Sequence, residues 1–281
     1  MSNTPRALIL AAAKQLAETG VPDPTVDASL LLSHLTGKSP LSLRLDTDTH
    51  LSKEMEIAYQ TLIEKRAERI PLQWLTGTQS FCGHEFLVTP DVLIPRPETA
   101  LLAERAIELS ANKPDFFILD LCCGSGCIAI TCALELPGVN VTATDLSDAA
   151  LAVARKNAEK HGVQVRFVQG DLFEAVNGER YNVIVSNPPY IPTEVCSELQ
   201  EEVRQEPLMA LDGGLDGLDF YRRIAKEAGD HLKPGGVLLL EIGIDESAEV
   251  TELLKLNGFT DIKITDDMAG IPRMVEGHWH E

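Results

Sequence analysis

The N-terminal part of the chain alternates apolar and polar residues at helical spacing. A first helix is predicted to begin after Thr4, where a proline follows a hydroxyl side chain, and to end at Gly20. Residues 26–35 repeat the pattern, and Ser52 starts a third amphipathic segment. Short helices of this kind need one another to bury their apolar faces. We therefore predict a small helical bundle over residues 1–70.

The pattern changes between residues 71 and 95. Phe81 and Phe86 give this stretch the composition of strands, and Gly77 and Gly83 interrupt it. Short apolar runs separated by glycine predict a β-hairpin. We expect this hairpin to link the helical bundle to a second domain that covers residues 96–281.

Strands and helices alternate in the second domain. The predicted strands are residues 116–121, 139–144, 165–169, 181–186 and 236–242, and the predicted helices are residues 128–136, 148–161, 218–232 and 247–257. Two shorter strand-like pieces, residues 260–265 and 273–276, follow the last helix. This alternation predicts an α/β, Rossmann-like domain in which helices cover both faces of a parallel sheet. Ligands of such sheets bind at the carboxyl ends of the strands.

A glycine-rich turn follows the first predicted strand of this domain. It consists of Cys122, Cys123, Gly124, Ser125 and Gly126. Glycine lets the backbone turn sharply and lets a ligand lie against it. Asp145 ends the next strand, where its carboxylate can accept hydrogen bonds from both hydroxyls of a ribose. Asp171 ends the third strand and can accept from an adenine amino group, while the Leu172 N–H faces the ring. These positions predict a nucleoside site.

The glycine-rich turn leaves the identity of the cofactor open. Gly124, Gly126 and Ala129 also satisfy the dinucleotide fingerprint G-x-G-x-x-G/A, with Asp145 as its acidic partner. These features alone favour NAD and S-adenosylmethionine equally. A third interpretation is that the glycines serve only a tight strand-to-helix turn. The acidic residues at the ends of the next two strands argue against it.

A rigid polar turn follows the fourth predicted strand. It consists of Asn187, Pro188, Pro189 and Tyr190, which we call the amide socket. Proline fixes its own backbone angle and donates no N–H, so the turn is stiff and presents carbonyl acceptors. Asn187 adds a side-chain carbonyl, and Tyr190 adds a flat aromatic face. These groups can hold a planar substrate group that carries an NH2.

The amide socket suits methyl transfer to nitrogen. The nitrogen of an amide or an aromatic amine is a poor nucleophile because its lone pair is delocalised. Hydrogen bonds from its two protons to Asn187 Oδ1 and the Pro188 carbonyl would orient it and return electron density to it. The nucleoside site and the socket together favour S-adenosylmethionine as cofactor. We predict Asn187, Pro188 and Tyr190 as catalytic residues, with Pro189 also in the substrate site; the alternative is a rigid turn without function.

Composition restricts the partners. The net charge of −19, from 24 basic and 43 acidic residues, argues against direct binding of nucleic acid through its phosphates and favours a basic protein partner. The first residues do not resemble a secretion signal and the longest apolar runs are strand-sized, so no membrane association is expected. Six cysteines without a Cys-x-x-Cys pair predict buried thiols in a reducing cytoplasm and no metal site.

Five segments of the chain, residues 71–77, 93–99, 187–191, 206–207 and 211–217, resemble segments of the HemK/PrmC family, the glutamine N5-methyltransferases of peptide chain release factors. The resemblance implies an N-terminal helical domain that helps to recognise the release factor and a seven-stranded methyltransferase domain. It implies that the substrate is the glutamine of a Gly-Gly-Gln loop in class 1 release factors, held by the amide socket. Residues 122–126, Asp145, Leu172 and Asn187 would then contact S-adenosylmethionine.

Two positions depart from the pattern of that family. Cys122 stands where the family usually has glycine, and Ala100 stands where it usually has an acidic residue. We expect an ordinary backbone angle at Cys122, so that the change causes no strain. We also expect Arg96 and Glu98 to hold the linker to the methyltransferase domain rather than to line the site.

Two other methyl-transfer reactions would use similar residues. A nucleic-acid adenine N6-methyltransferase must extrude its base, and the net charge speaks against it. A ribosomal-protein glutamine methyltransferase shares the amide socket, but residues 95–99 resemble the release-factor branch instead. A binding module without activity is a further alternative, and the presence of Asn187 argues against it.

Overall fold

The computed structural model describes residues 3–111, 113 and 115–280. Its helices are α1 (Pro5–Glu18), α2 (Pro24–Thr36), α3 (Pro40–Leu45), α4 (Lys53–Ala67), α5 (Leu72–Thr76), α6 (Ala100–Ser110), α7 (Cys127–Glu135), α8 (Asp148–His161), α9 (Glu201–Arg204), α10 (Asp219–Glu227) and α11 (Ser247–Leu256). Its strands are β1 (Thr78–Phe81), β2 (His84–Leu87), β3 (Phe117–Leu121), β4 (Asn140–Asp145), β5 (Arg166–Gln169), β6 (Tyr181–Ser186), β7 (Leu232–Glu241), β8 (Thr260–Asp266) and β9 (Pro272–His278). None of the helices in the described residues has the length and apolar character that a membrane span requires.

The chain divides into two compact units. The helical unit consists of Met1–Thr78 together with Gln200–Gln205, and the sheet unit consists of Gln79–Leu199 together with Glu206–Glu281.

The helical unit is built around the apolar faces of α1, α2 and α4. Leu16, Leu32 and Ile63 are completely buried in this core. The buried Tyr59 hydroxyl donates a hydrogen bond to the Ala28 carbonyl at 2.8 Å, so its polar end is satisfied between α4 and α2. The predicted helical bundle is therefore confirmed.

The sequence pattern misses three short helices, α3, α5 and α9. The start of α4 is as predicted, because the Ser52 side chain accepts from the Met55 N–H at 3.3 Å and caps the helix. By contrast, α5 lies within the stretch where the sequence predicts a β-hairpin, so that prediction is wrong for Leu72–Thr76. Pro71 precedes this single turn and Gly77 ends it with φ 77°. A helix of one turn is too short to show a helical period.

Residues 200–205 join the helical unit through a cluster of ion pairs. Glu202 accepts from Arg66 at 2.7 Å and from Arg69 at 2.6 Å, and Arg66 also donates to Asp27 at 2.7 Å. Burial alone would raise the pKa of Glu202, but the hydrogen bonds from Arg69 and Arg66 outweigh it and lower this pKa to about 2. These ion pairs fix α9 to the end of α4, although the two helices are far apart in the sequence.

The sheet unit contains seven strands in the order β5-β4-β3-β6-β7-β9-β8. The first five are parallel, whereas β9 is antiparallel to both β7 and β8. The chain runs from β3 outward to β5 and then returns to the other side of β3 with β6. This reversal places the topological switch point between β3 and β6. The predicted α/β fold with a seven-stranded sheet is therefore confirmed, whereas the antiparallel direction of β9 was not predicted.

Successive residues of the central strands face two separate hydrophobic layers. Val183 and Val185 of β6 pack in the layer that contains α6, α7 and α8, whereas Ile184 packs in the layer of α10 and α11. Side chains of a strand alternate between the faces of its sheet, so a strand buried on both faces is apolar throughout. β6, whose carboxyl end carries Asn187, is therefore covered on both faces.

A two-stranded β-hairpin, β1 and β2, precedes the seven-stranded sheet, as predicted. Phe81 and Phe86 are buried and meet edge to face, with ring centroids 6.0 Å apart. The Leu87 backbone exchanges two hydrogen bonds with the Asn157 side chain of α8, at 2.7 and 3.1 Å. These contacts attach the hairpin to the helical layer of the sheet unit.

Candidate active site

A cavity of about 400 Å³ opens at the carboxyl ends of β3, β4, β5 and β6. It lies at the topological switch point, and its volume is that of a small-molecule site. The residues with a predicted site role that line it are Cys122, Gly124, Asp145, Asp171, Leu172, Asn187 and Pro189. The predicted residues outside its lining are Cys123, Ser125, Gly126, Pro188 and Tyr190.

The glycine-rich turn is held against the neighbouring strand and helices. The Gly124 N–H donates to Asp145 Oδ2 at 2.8 Å, which ties the turn to the end of β4. Gly126 has φ 77°, and a Cβ there would lie 3.0 Å from Ile130 and 3.1 Å from Ala154. Both the backbone angle and the close approach to α7 and α8 therefore require glycine at this position. Its role is to bring the turn close to the helices, not to line the cavity.

The backbone at Cys122 is left-handed, with φ 60°. The expectation of an ordinary angle there is therefore wrong. A side chain with a Cβ is strained in this region by roughly 1–2 kcal/mol, a cost that glycine avoids. Burial raises the pKa of the Cys122 thiol, so the thiol is neutral at physiological pH. The strain lies directly against the cavity, where strained residues commonly occur.

Two substitutions at Cys122 measure this strain. Cys122→Gly should be more stable than Cys122→Ala by about 1 kcal/mol, because alanine keeps the strained Cβ and glycine does not. Urea unfolding of both variants gives the difference. The same pair at the buried neighbour Cys123, which lies outside the left-handed region, is the control, and there alanine should be the more stable residue by about 0.5–1 kcal/mol. An alanine variant as stable as the glycine variant at position 122 would contradict the assignment.

Asp145 presents its carboxyl group to the cavity from the end of β4. Its Oδ2 accepts from the Gly124 N–H, and its Oδ1 accepts from the Ser147 N–H at 2.9 Å. Burial raises the pKa of Asp145, and these backbone hydrogen bonds partly offset the rise. A carboxylate oxygen can accept more than one hydrogen bond, so both oxygens remain able to accept from a ribose hydroxyl.

The third wall of the cavity follows β5. Leu172 is buried and left-handed, with φ 50°. Gly170 permits this bend, because a Cβ there would lie only 2.7 Å from the Ala175 side chain. The turn is thus folded back tightly on itself and brings both Leu172 and Asp171 to the cavity.

Asp171 has a partner that the sequence pattern does not indicate. Arg223 of α10 forms an ion pair with Asp171 Oδ2 at 2.8 Å. The Arg223 guanidinium also lies over the Phe220 ring, 5.8 Å from its centroid, and Phe220 lines the cavity. Phe220 and Arg223 are three residues apart and therefore share one face of α10. No motif marks them, since only the fold brings α10 to the end of β5.

Asn187 stands at the end of β6, on the other side of the switch point. Its Nδ2 donates to the Thr99 hydroxyl at 3.2 Å, and Thr99 itself is buried. Because Nδ2 is engaged, Oδ1 is the atom of the carboxamide that is left to accept a hydrogen bond at the cavity. Thr99 lies in the segment that resembles the family, but the sequence alone did not single it out.

The chain behind the amide socket is pressed against two glycines. A Cβ at Gly213 would lie 2.7 Å from the Tyr190 Cα, and a Cβ at Gly217 would lie 2.4 Å from the Tyr190 carbonyl oxygen. The Ile191 N–H donates to the Leu211 carbonyl at 2.9 Å. Residues 211–217 therefore clamp the far end of the socket. Burial raises the pKa of the Tyr190 hydroxyl, which stays neutral.

Arg96 lies outside the cavity lining and has a structural contact instead. Glu206, which is only 4% exposed, accepts from the Arg96 guanidinium with one carboxylate oxygen. Its other oxygen accepts from the Ile94 N–H at 2.8 Å. These contacts fix Glu206 to residues 94–96. Pro207, which follows Glu206 in the sequence, lines the cavity. Among residues 3–111, 113 and 115–280, no group of three metal-ligating side chains could hold a metal ion.

Two family models match the chain. Residues 99–206 match the "Methyltransferase small domain", and residues 7–77 match the "PrmC N-terminal domain". The first match includes the glycine-rich turn and the amide socket, and the second covers most of α1 and all of α2 to α5.

Curated relatives match the chain over nearly its whole length. A protein of Geobacter sulfurreducens named "Release factor glutamine methyltransferase" is 44% identical over 93% of this chain and 92% of its own length. A protein of Chlorobaculum tepidum with the same name is 43% identical over 92% of this chain and 91% of its own length. The crystal structure of a methyltransferase from Pyrococcus furiosus superposes on this chain with a TM-score of 0.53 and 19% sequence identity. The superposition covers 79% of this chain and 98% of that one, so the two proteins share a fold.

These matches decide between the cofactors that the glycine-rich turn left open. A methyltransferase domain implies S-adenosylmethionine rather than NAD. The identities and coverage of the relatives show that this chain belongs to the family of release factor glutamine methyltransferases.

Proposed function

We propose that this enzyme transfers a methyl group from S-adenosylmethionine to the side-chain amide nitrogen, N5, of the glutamine in the Gly-Gly-Gln motif of class 1 peptide chain release factors, and so modulates translation termination. The names of its relatives support the substrate class. The structural observation that carries the proposal is the orientation of Asn187, whose Nδ2 donates to Thr99 so that Oδ1 remains to accept from a substrate amide.

The amide socket would act by positioning and by charge. The substrate amide is planar and its nitrogen lone pair is delocalised into the carbonyl. When its two N–H groups donate to Asn187 Oδ1 and the Pro188 carbonyl, the nitrogen is fixed in place and its electron density increases. Tyr190 would pack against the amide plane. No strong base is required before the transfer, because the nitrogen becomes acidic once it is alkylated.

The cavity residues fit S-adenosylmethionine, which supplies an electrophilic methyl group when bound. The Asp145 carboxyl would accept from the ribose hydroxyls, and both its oxygens keep lone pairs for this. Asp171 and the Leu172 N–H would read the adenine edge, with the Phe220 ring in the same wall. The glycine-rich turn, residues 122–126, would run alongside the cofactor.

The division of labour between the parts of the chain is also part of the proposal. The N-terminal helical domain, residues 1–70, would help to recognise the release factor. The linker, residues 71–95, would contain the hairpin of β1 and β2, and the methyltransferase domain would cover residues 96–281. The excess of acidic residues favours a basic protein partner over direct contact with nucleic acid. The six cysteines are free thiols, which suits the reducing cytoplasm where translation occurs.

Methyl transfer from labelled S-adenosylmethionine to a purified class 1 release factor tests the proposal. A release factor whose Gly-Gly-Gln glutamine is replaced by alanine serves as the matched substrate control. We expect label on the first protein and none on the second.

The same assay separates the alternative substrates. Ribosomal proteins and an adenine-containing nucleic acid are offered in parallel under the same conditions. Label on either of these, with none on the release factor, would contradict the proposed substrate.

A further inference from the structure

Glu241 is a buried carboxyl group for which the methyl-transfer chemistry described above has no use. It is the last residue of β7, the strand next to β6, and it is 1% exposed. Within the described residues, neither of its carboxyl oxygens has a partner in full hydrogen-bond geometry. A carboxyl group buried in this way is costly to the fold, and such groups cluster at functional sites.

Four side chains affect the pKa of the Glu241 carboxyl group. Burial raises the pKa of Glu241 to about 7, while the Thr99 and Tyr190 hydroxyls are near enough to lower it. The negative charge of Glu98 raises this pKa further, and the positive charge of Arg273 lowers it. Leu240 pairs with Ser186 in the parallel register of β7 and β6, so Glu241 lies next to Asn187, the partner of Thr99.

The Thr99 hydroxyl can join Asn187 to Glu241. A hydroxyl has one hydrogen to donate and two lone pairs to accept with. Thr99 Oγ1 accepts from Asn187 Nδ2 at 3.2 Å, so its hydrogen is free to point to the Glu241 carboxylate. If the Thr99 hydroxyl donates its hydrogen to Glu241, it can only accept from Asn187. An Asn187 carboxamide with Nδ2 and Oδ1 exchanged would then place Oδ1 against the Thr99 oxygen without a hydrogen bond, which is unfavourable.

We propose that Glu241 is a positioning residue for the methyl transfer, which keeps the Thr99 hydroxyl an acceptor and thereby keeps Asn187 Oδ1 turned toward the substrate amide. Glu241 does not touch the substrate and acts through Thr99. The inference deepens the proposed function and rests on it.

The protonation of Glu241 gives this arrangement a pH dependence. The ionised carboxylate can only accept hydrogen bonds, whereas the protonated form can donate to Thr99 and compete with Asn187. Turnover should therefore rise with pH through about 7. Glu98, Arg273 and the Tyr190 hydroxyl also affect the pKa of this carboxyl group, so they influence the pH at which turnover rises.

Glu241→Gln tests the proposal in the release-factor assay. We expect kcat to fall roughly tenfold and to lose its rise between about pH 6 and about pH 8, while KM for both substrates changes by less than about threefold. Glu276→Gln is the matched control, because Glu276 is a buried glutamate of the same sheet that pairs with Arg105 and lies outside the cavity lining. This control should keep the wild-type pH profile.

A pair of substitutions at Thr99 tests the link between Glu241 and Asn187. Thr99→Val removes the hydroxyl at constant shape and should reproduce the loss of kcat in Glu241→Gln, whereas Thr99→Ser should restore it. If Thr99 connects the two residues, the double variant with Glu241→Gln should lose no more than either single variant. Additive losses would contradict the inference.

A readout without substrate separates this inference from the proposed function. Thr99→Val should raise the pKa of the Glu241 carboxyl, measured by carbon-13 NMR, because it removes a hydrogen bond to the ionised form. An unchanged pKa, or wild-type kcat in Glu241→Gln, would overturn the inference while wild-type methylation stands. Absence of methylation by the wild-type enzyme would instead overturn the proposed substrate, and the NMR measurement would still decide the role of Glu241.

Discussion

We expect Asn187→Ala to lower the turnover of release-factor methylation by roughly 10²-fold or more, as the loss of a preorganised hydrogen bond does. The variant keeps the turn of the amide socket but has no Oδ1 to accept from the substrate amide. Initial rates of label transfer at saturating S-adenosylmethionine measure kcat. Binding of the cofactor, measured by calorimetry, should weaken much less, because Asn187 is one of many residues that line the cavity.

Asn182→Ala is the control for this result. Asn182 lies on the same strand but at its opposite end, where its side-chain oxygen accepts from the Phe117 N–H at 2.9 Å. Its loss should cost stability without lowering kcat by more than a few-fold. If kcat of Asn187→Ala were close to that of the wild type and similar to that of Asn182→Ala, Asn187 would not position the substrate amide as proposed.

The elements that frame the site could be predicted from the sequence because local residues mark their ends. The observed bounds of β6, Tyr181–Ser186, and of α8, Asp148–His161, are those that the sequence predicts. A double proline ends the first, and Gly162, in the left-handed region with φ 68°, ends the second. The pattern of apolar residues predicts the part of each element that lies between these ends.

Backbone angles at single positions could not be predicted in the same way. Cys122 adopts φ 60° although its side chain does not favour that region, because the turn between β3 and α7 imposes it. In the sequence, the one indication of a left-handed angle at position 122 is that the family which the chain resembles usually has glycine there. Propensity indicates what a residue prefers, and the surrounding fold decides what it adopts.

Side-chain pairs between distant segments were beyond the sequence pattern as well. Thr99 and Asn187 are 88 residues apart, and Arg223 reaches Asp171 from a helix whose place in the fold depends on the whole strand order. Each pair contacts a residue that the motifs did identify. The motifs therefore indicate the candidate groups of the site, and the strand order decides which other side chains contact them.

Asp120 is a buried carboxyl group that lies next to the candidate site, outside the cavity lining. It lies in β3 directly beneath the glycine-rich turn and is completely buried. Its Oδ2 accepts from the Ala129 N–H at 3.1 Å, and its Oδ1 has no hydrogen-bond partner among the described residues. Burial, with a further contribution from the negative charge of Asp145, raises the pKa of Asp120 to about 8.

This raised pKa makes the stability of the fold depend on pH in a definite direction. The unfolded chain releases the Asp120 proton near pH 3.8, whereas the folded protein holds it until about pH 8. Between these values the folded state binds one proton more than the unfolded state. The free energy of unfolding therefore decreases as the pH rises through this window, and the decrease ends above the folded pKa.

Asp120→Asn isolates this effect. Asparagine keeps an oxygen for the Ala129 N–H but cannot ionise. The free energy of unfolding of the wild type should fall relative to that of the variant by roughly 1 kcal/mol per pH unit between about pH 5.5 and about pH 7.5. Urea unfolding at a series of pH values gives both curves.

Other buried carboxyl groups cancel in this comparison, because Glu241 and Glu246, whose pKa values burial also raises, are present in both proteins. Asp267→Asn is the control, since hydrogen bonds led by that from the Ile271 N–H lower the pKa of Asp267 and place its effect below about pH 4. Its curve should run parallel to the wild type from about pH 5.5 upward. Parallel curves for Asp120→Asn would mean that the carboxyl group beneath the glycine-rich turn is ionised in the folded protein, with water or a cation to compensate it.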